Sequence, residues 1–120
     1  MGRLPDLWRI VAGVLGMTAV MIGAVAAHVL QDTQAISSVE RASNYQLAHA
    51  IMLMVASLIP GRAAQLSRWF FLAGIIAFSG SIYAKYLLDL AGATKFAPTG
   101  GIILMLGWLS LAFSSKANAK

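Results

Sequence analysis

Apolar residues run along the chain in four long blocks. Formal charge is absent from Ile10 to Gln31, from Ala42 to Gly61, from Trp69 to Ala84 and from Phe96 to Ser115. A helix rising 1.5 Å per residue needs about 20 mainly apolar residues to cross roughly 30 Å of hydrocarbon. The first, second and fourth blocks meet that length. The third reaches it when Lys85, just past its end, snorkels or pairs with Asp89 one turn on. The pattern predicts transmembrane helices over about 7–30, 38–59, 68–90 and 98–114, in a single membrane domain spanning 1–120.

Local chemistry sets the expected ends. Pro5 and Asp6 resemble a helix start ahead of Leu7, and Ser37-Ser38-Val39-Glu40 fits a capping box that opens the second helix near Ser38. Pro60-Gly61 closes that helix, Gly92 suits the C-cap of the third, and Pro98 suits the first turn of the fourth. The short connections force antiparallel neighbours. The fold class is therefore an all-α integral membrane protein, an antiparallel bundle of four transmembrane helices.

Composition strengthens this reading. Of 120 residues, 59% are apolar and only 11% charged, and the mean hydropathy is +0.77. Soluble domains carry about 45–50% apolar and about 25% charged residues. A chain this short cannot bury so much apolar surface in its own core. That excludes a soluble globular domain, and the same numbers exclude a disordered chain. A net charge of +5 raises the question of nucleic acid, but the cations sit at the edges of apolar runs and no basic stripe interleaves with aromatics. No nucleic-acid partner is expected; the expected partner is the lipid bilayer. With no cysteine, disulfide and thiolate chemistry are excluded.

The cations also orient the chain. Arg3, Arg9, Arg62, Arg68, Lys116 and Lys120 fall on one side of the expected bundle and outnumber Arg41, Lys85 and Lys95 on the other. The positive-inside rule then puts both termini in the cytoplasm. Trp8 and Trp69 fall at the inner interface, and Tyr45, Tyr83, Tyr86 and Phe96 near the outer one, as aromatic belts require. Ala24-Val25-Ala26 fits a signal-peptidase site, but the apolar stretch before it exceeds the 7–15 residues of a signal peptide, so the first segment is expected to stay as a span.

Two sets of residues carry candidate chemistry. Gly13, Gly16, Gly23 and Ala27 form a small-residue stripe on the first helix, and Gly100, Gly101 and Gly107 offer a matching surface on the fourth. Small residues let helices approach closely in lipid, so these are helix-packing positions or a homodimer face. The second set is polar and clusters at one depth: His28, then Asn44, Tyr45, Gln46 and His49, then Ser79, Ser81 and Tyr83, then Thr99. Such groups cost free energy in lipid unless paired, so they are expected to meet inside the outer half of the bundle. The cluster reads as interhelical hydrogen bonding, as a pocket for a small molecule or lipid headgroup, or as a proton-linked site at His28 or His49. Two histidines on consecutive helices could also bracket a haem. No motif for catalysis or for a metal is visible, so no enzyme activity, cofactor or metal is assigned.

Gly23-Ala24-Val25-Ala26-Ala27-His28, Asn44-Tyr45-Gln46-Leu47-Ala48-His49-Ala50, Phe78-Ser79-Gly80-Ser81-Ile82-Tyr83 and Pro98-Thr99-Gly100-Gly101 through Gly107-Trp108 occur in that order. Together they resemble the small four-helix membrane family called transmembrane protein 256, or domain of unknown function 423. The resemblance touches all four helices and adds Gly80 to the packing positions. It implies a four-span architecture and a bacterial inner (cytoplasmic) membrane location, and brings no established activity. The expected function is a non-enzymatic, multi-pass protein whose polar cluster binds or passes a small molecule or lipid. The alternative is an accessory or scaffolding subunit of a larger membrane complex.

Overall fold

The structure, a computed structural model, describes residues 6–114. Arg3, Pro5, Lys116 and Lys120, used above for orientation and for the first helix start, lie outside the described residues. The described chain is all-α: α1 (Leu7–His28), α2 (Thr33–Ser57), α3 (Arg62–Leu88), a 3-10 turn (Ala93–Phe96) and α4 (Ala97–Ala112).

Asp6 caps α1 by accepting a hydrogen bond from the Trp8 amide at 3.1 Å. The second helix starts earlier than the capping-box pattern predicts. Asp32 is its N-cap, accepting from the Ala35 amide at 2.9 Å, and Ser37 and Ser38 lie inside the helix. A carboxylate facing the positive end of the helix dipole is the stronger cap. The third helix also starts earlier, at Arg62, because Gly61 turns the chain at φ 102 and good helix formers follow at once. Its C-cap is Asp89 in the left-handed conformation, φ 60, with the Leu90 amide reaching back to the Ala84 carbonyl at 2.9 Å. Gly92, expected in that role, instead precedes the 3-10 turn. Pro98 stands in the first turn of α4.

Among the described residues three helices are long and apolar enough to cross a membrane: Leu7–His28, Arg62–Leu88, and the continuous stretch Ala93–Ala112. α2, at 25 residues, has the length, but Glu40, Arg41, Asn44, Gln46 and His49 in its sequence lower its hydropathy. It is also rich in buried positions, among them Val39, Ala42, Gln46, Leu53 and Ala56. Of its polar residues Gln46 and His49 are buried against neighbouring helices while Glu40, Arg41 and Asn44 are exposed, and α1 and α4 turn aliphatic side chains such as Val14, Val20, Ile102 and Leu109 outward.

The helices pack mainly in chain order, α1 on α2, α2 on α3 and α3 on α4. The result measures 53 × 32 × 17 Å, a flat layer in which each helix packs on its neighbour in the chain, as the short connections require. Helices spaced about 8–10 Å apart in a row produce that width. The apolar core of Ala12, Leu53, Phe71, Ile75 and Leu104 lies toward the first turns of α1 and the last turns of α2. The other half of the layer holds the polar residues.

Candidate functional site

Gln46 is the centre of the polar half. It is 3% exposed and faces α1 and α3 at once. Its Nε2 donates to the Leu15 carbonyl and to Thr18 Oγ1, both at 2.8 Å, while its Oε1 accepts from Tyr83 Oη at 2.7 Å. One amide thus joins three helices with every bond in good geometry. Beside it, Ser79 Oγ donates across to the Ala42 carbonyl at 2.7 Å, a second tie between α3 and α2.

His49, one turn deeper on α2, is held differently. Trp108 Nε1 on α4 donates to His49 Nε2 at 2.9 Å, and His49 Nδ1 lies 2.6 Å from the Tyr45 carbonyl. An indole N–H only donates, so Nε2 is the acceptor and the proton sits on Nδ1, directed at that carbonyl. The ring is the neutral Nδ1–H tautomer. Aromatic rings surround it: Phe71 at 5.7 Å, Trp108 edge-on at 5.8 Å, and Tyr45 at 6.1 Å. Tyr45 in turn stacks on Phe78 at 5.0 Å.

Above this aromatic floor runs a groove of about 670 Å³ between α2 and α4, with Phe78 of α3 beneath. Arg41, Tyr45, Ala48 and His49 form the α2 wall, and Gly101, Leu104, Met105 and Trp108 the α4 wall. Small-molecule sites span roughly 300–1,000 Å³, so the size fits a ligand. Glycines explain why α4 sits so close to α3 and yet leaves this gap. A Cβ on Gly107 would meet the Phe71 ring at 2.6 Å, and one on Gly100 would meet the Ala77 carbonyl carbon at 2.7 Å. Gly74 of α3 makes the reciprocal approach, since a Cβ there would meet Leu104 Cγ at 2.7 Å. Gly101, one residue round the helix, has only Phe78 at 4.0 Å and opens toward the groove.

Of the polar residues read from the sequence, the structure joins Gln46 and Tyr83, ties Ser79 to the Ala42 carbonyl beside them, and sets Tyr45 and His49 in the groove wall. His28 ends α1 exposed, and Asn44 and Thr99 are exposed as well. Ser81 is buried but bonds within its own helix, to the Phe78 carbonyl at 2.9 Å. The two-histidine haem bracket does not form, since both His49 nitrogens are engaged and His28 stands exposed at a helix end. Among the described residues no three His, Cys, Asp or Glu side chains gather as a metal site would need. Lys85 extends over the Tyr86 ring at 5.1 Å.

The small residues divide too. Gly23 lies 3.5 Å from Ser43 Oγ by its Cβ direction, while Gly13, Gly16 and Gly80 would meet nothing within 4 Å. Ala27 is exposed. The buried face of α1 is instead Ala12, Ala19 and Ala26, spaced seven apart. A seven-residue repeat returns to one face after two turns, so the alanines make the close contact and the glycines fall beside it. Sequence reasoning passed over Thr18, Phe71, Arg41 and Trp108 as site residues. The spacing Arg41, Tyr45, Ala48, His49 and the matching Gly101, Leu104, Met105, Trp108 each mark one helical face, and that periodicity was the available signal.

Long apolar helices with aliphatic outer faces, knit by a buried polar cluster, define a helical membrane protein. The chain belongs to the DUF423 family, described as "Protein of unknown function", whose profile matches residues 22–101. It is 32% identical over 115 residues to a "UPF0382 membrane protein" of Staphylococcus aureus (strain bovine RF122), covering 91% of this chain and 94% of that one. A "UPF0382 membrane protein" of Staphylococcus epidermidis is 34% identical over 113 residues, 88% of this chain and 93% of the relative. One of Haemophilus influenzae is 34% identical over 106 residues, covering 83% and 86%. No solved structure matches.

Proposed function

We propose that this is a multi-pass protein of a bacterial inner membrane, with four spanning helices and cytoplasmic termini, that binds a small molecule or lipid in the α2–α4 groove without transforming it. The observation that carries the reading is the groove itself, a ligand-sized gap whose aromatic walls are held by the Trp108–His49 bond. The neighbouring polar groups direct their hydrogen bonds at one another, which favours binding over chemistry. Spanning by α2 is supported by its 25 residues, about 37 Å of helix, and by the shielding of Gln46 and His49 by its neighbours. The bacterial inner membrane is supported by the bacterial relatives named membrane proteins.

The test is native mass spectrometry of protein gently extracted from its own membranes. A reproducible excess mass lost in Gly101→Leu and kept in Gly13→Leu is the expected result. Identical mass profiles in all three proteins would refute a groove ligand.

A second reading, docking to another membrane helix, is favoured by the open face around Gly13 and Gly16. There a groove of about 300 Å³ runs between α1 and α2 along Ala50, Ile51, Met54 and Val55. Under it the protein is a homodimer or an accessory subunit. Gly13→Leu would then abolish association while leaving the isolated chain folded, and unchanged association would refute it.

A further inference from the structure

Taking the α2–α4 groove as a binding site, we propose that its occupant is an anionic phospholipid of the surrounding bilayer, its phosphate on Arg41 and one acyl chain laid over Phe78 toward Trp108. The groove has one formal charge among its lining residues, the exposed Arg41, and no carboxylate lines it. Below Arg41 the walls turn apolar and aromatic. His49 lies eight residues further along α2, so the apolar floor runs about 12 Å beneath the cation. A cation above an apolar trough of that depth matches an acid group joined to a hydrocarbon chain.

The surrounding lipid fits better than a free solute. Tyr45, Met105 and Trp108 of the two walls are themselves 47%, 65% and 45% exposed, so the trough is open sideways along its length. Its contents exchange with whatever surrounds the helices. Arg41 is close enough to the end of α2 for its long side chain to reach the headgroup layer, where phosphates stand. A guanidinium binds phosphate through paired, charge-assisted hydrogen bonds, and a headgroup with an added ammonium has no carboxylate here to meet it. The trough therefore selects net-anionic headgroups. Its width comes from Ala48 and Gly101 on opposite walls, each smaller than the apolar residues that would close it.

The experiment supplies the purified full chain with equal amounts of phosphatidylglycerol and phosphatidylethanolamine of matched chains and counts retained lipids by native mass spectrometry. Helix content is checked by circular dichroism. Wild type should retain phosphatidylglycerol about tenfold over phosphatidylethanolamine, the ratio of one charge-assisted contact. Arg41→Gln should bring that ratio near one, and Arg62→Gln, at an exposed cation outside the groove, should leave it unchanged. Gly101→Leu and Ala48→Leu, which fill the trough from opposite walls, should each lose the bound lipid, so either alone suffices if the other fails to fold. A ratio near one in wild type, or a preference that survives Arg41→Gln, overturns the anionic lipid while the groove stands. Lipid retention undiminished in both filling variants overturns the groove reading as well.

Discussion

Replacing Gln46 by leucine isolates the polar network from the rest of the fold. The side chain is buried and of similar length, so the change removes hydrogen bonds without opening a large cavity. Three bonds disappear: those to the Leu15 carbonyl, to Thr18 Oγ1 and from Tyr83 Oη. At about 0.6 kcal/mol each, the average for interhelical bonds in a membrane protein, the loss is roughly 2 kcal/mol. The partners do not suffer equally. Thr18 Oγ1 still donates to the Leu15 carbonyl at 3.2 Å, so that end of the network stays paired. Tyr83 Oη loses the acceptor it reaches on α2, and leaving a half-buried hydroxyl without one adds about 1 kcal/mol. Gln46→Leu should therefore cost about 3 kcal/mol, and Tyr83→Phe, which leaves the buried Gln46 Oε1 without its donor, about 1.6 kcal/mol. In the double variant neither orphaned group remains, so it should be more stable than Gln46→Leu alone, with a coupling of roughly 2–3 kcal/mol. Unfolding of the four proteins in mixed micelles measures the cycle. A coupling near zero, or a Gln46→Leu protein as stable as wild type, would show that the amide does not join the helices.

Other substitutions probe the remaining devices. Gly107→Ala and Gly100→Ala should each lower stability by about 1–3 kcal/mol, because the new methyl meets the Phe71 ring or the α3 backbone. Gly13→Ala, with open space around it, should raise stability by up to about 1 kcal/mol through helix propensity; a loss there would mean that face is covered in the membrane. Asp32→Ala should cost about 1 kcal/mol and reduce amide-exchange protection over the first turn of α2, whereas Ser38→Ala should do neither. Arg68 folds its Nη1 onto the Ala56 and Ile59 carbonyls, at 2.8 and 3.4 Å, at the end of α2. Arg68→Met should then cost about 1–3 kcal/mol and increase exchange in that turn. Since the sequence has no cysteine, single cysteines report topology directly. Arg62→Cys should label only from the cytoplasmic side, and Thr33→Cys and Thr94→Cys only from outside. Labelling of Thr33→Cys and Arg62→Cys from one side would remove α2 from the spans.

Each long charge-free run overlaps one helix of the structure, since apolar length is a property of sequence alone. The helix starts at Thr33 and Arg62 were harder to read. Charge marks where an apolar run ends, not where hydrogen bonding ends, and Arg62-Ala63-Ala64-Gln65 adds a helical turn ahead of the charge-free run. Within the candidate site, Gln46 and Tyr83 were visible because a polar residue inside an apolar run needs a partner. Thr18 escaped notice as a mild residue in an apolar helix, although it accepts the amide of Gln46. The α1 glycines misled for a related reason: glycine permits close approach but does not compel it, and the alanines beside them make the contact. Nothing in a one-dimensional pattern distinguishes a layer from a square bundle, because both satisfy short antiparallel connections.

The layer follows from how unevenly the ties are distributed. Polar bonds fasten α1, α2 and α3 in one half, and glycine approaches fasten α3 to α4 along much of its length. Among the described residues the one hydrogen bond between α2 and α4 is that of His49 with Trp108, across the groove. That bond sets a fixed spacing, because two rings edge-on at 5.8 Å hold their helices farther apart than glycine contacts would. Ala48 and Gly101 then leave the upper part of the gap unfilled. In water, such a gap would favour collapse, since apolar walls gain by meeting. In a bilayer the walls gain little by closing, because lipid tails cover them as well as leucine does. The groove is thus a feature the membrane tolerates and the aromatic floor maintains, and the same lipid that makes it stable is the solvent best placed to fill it.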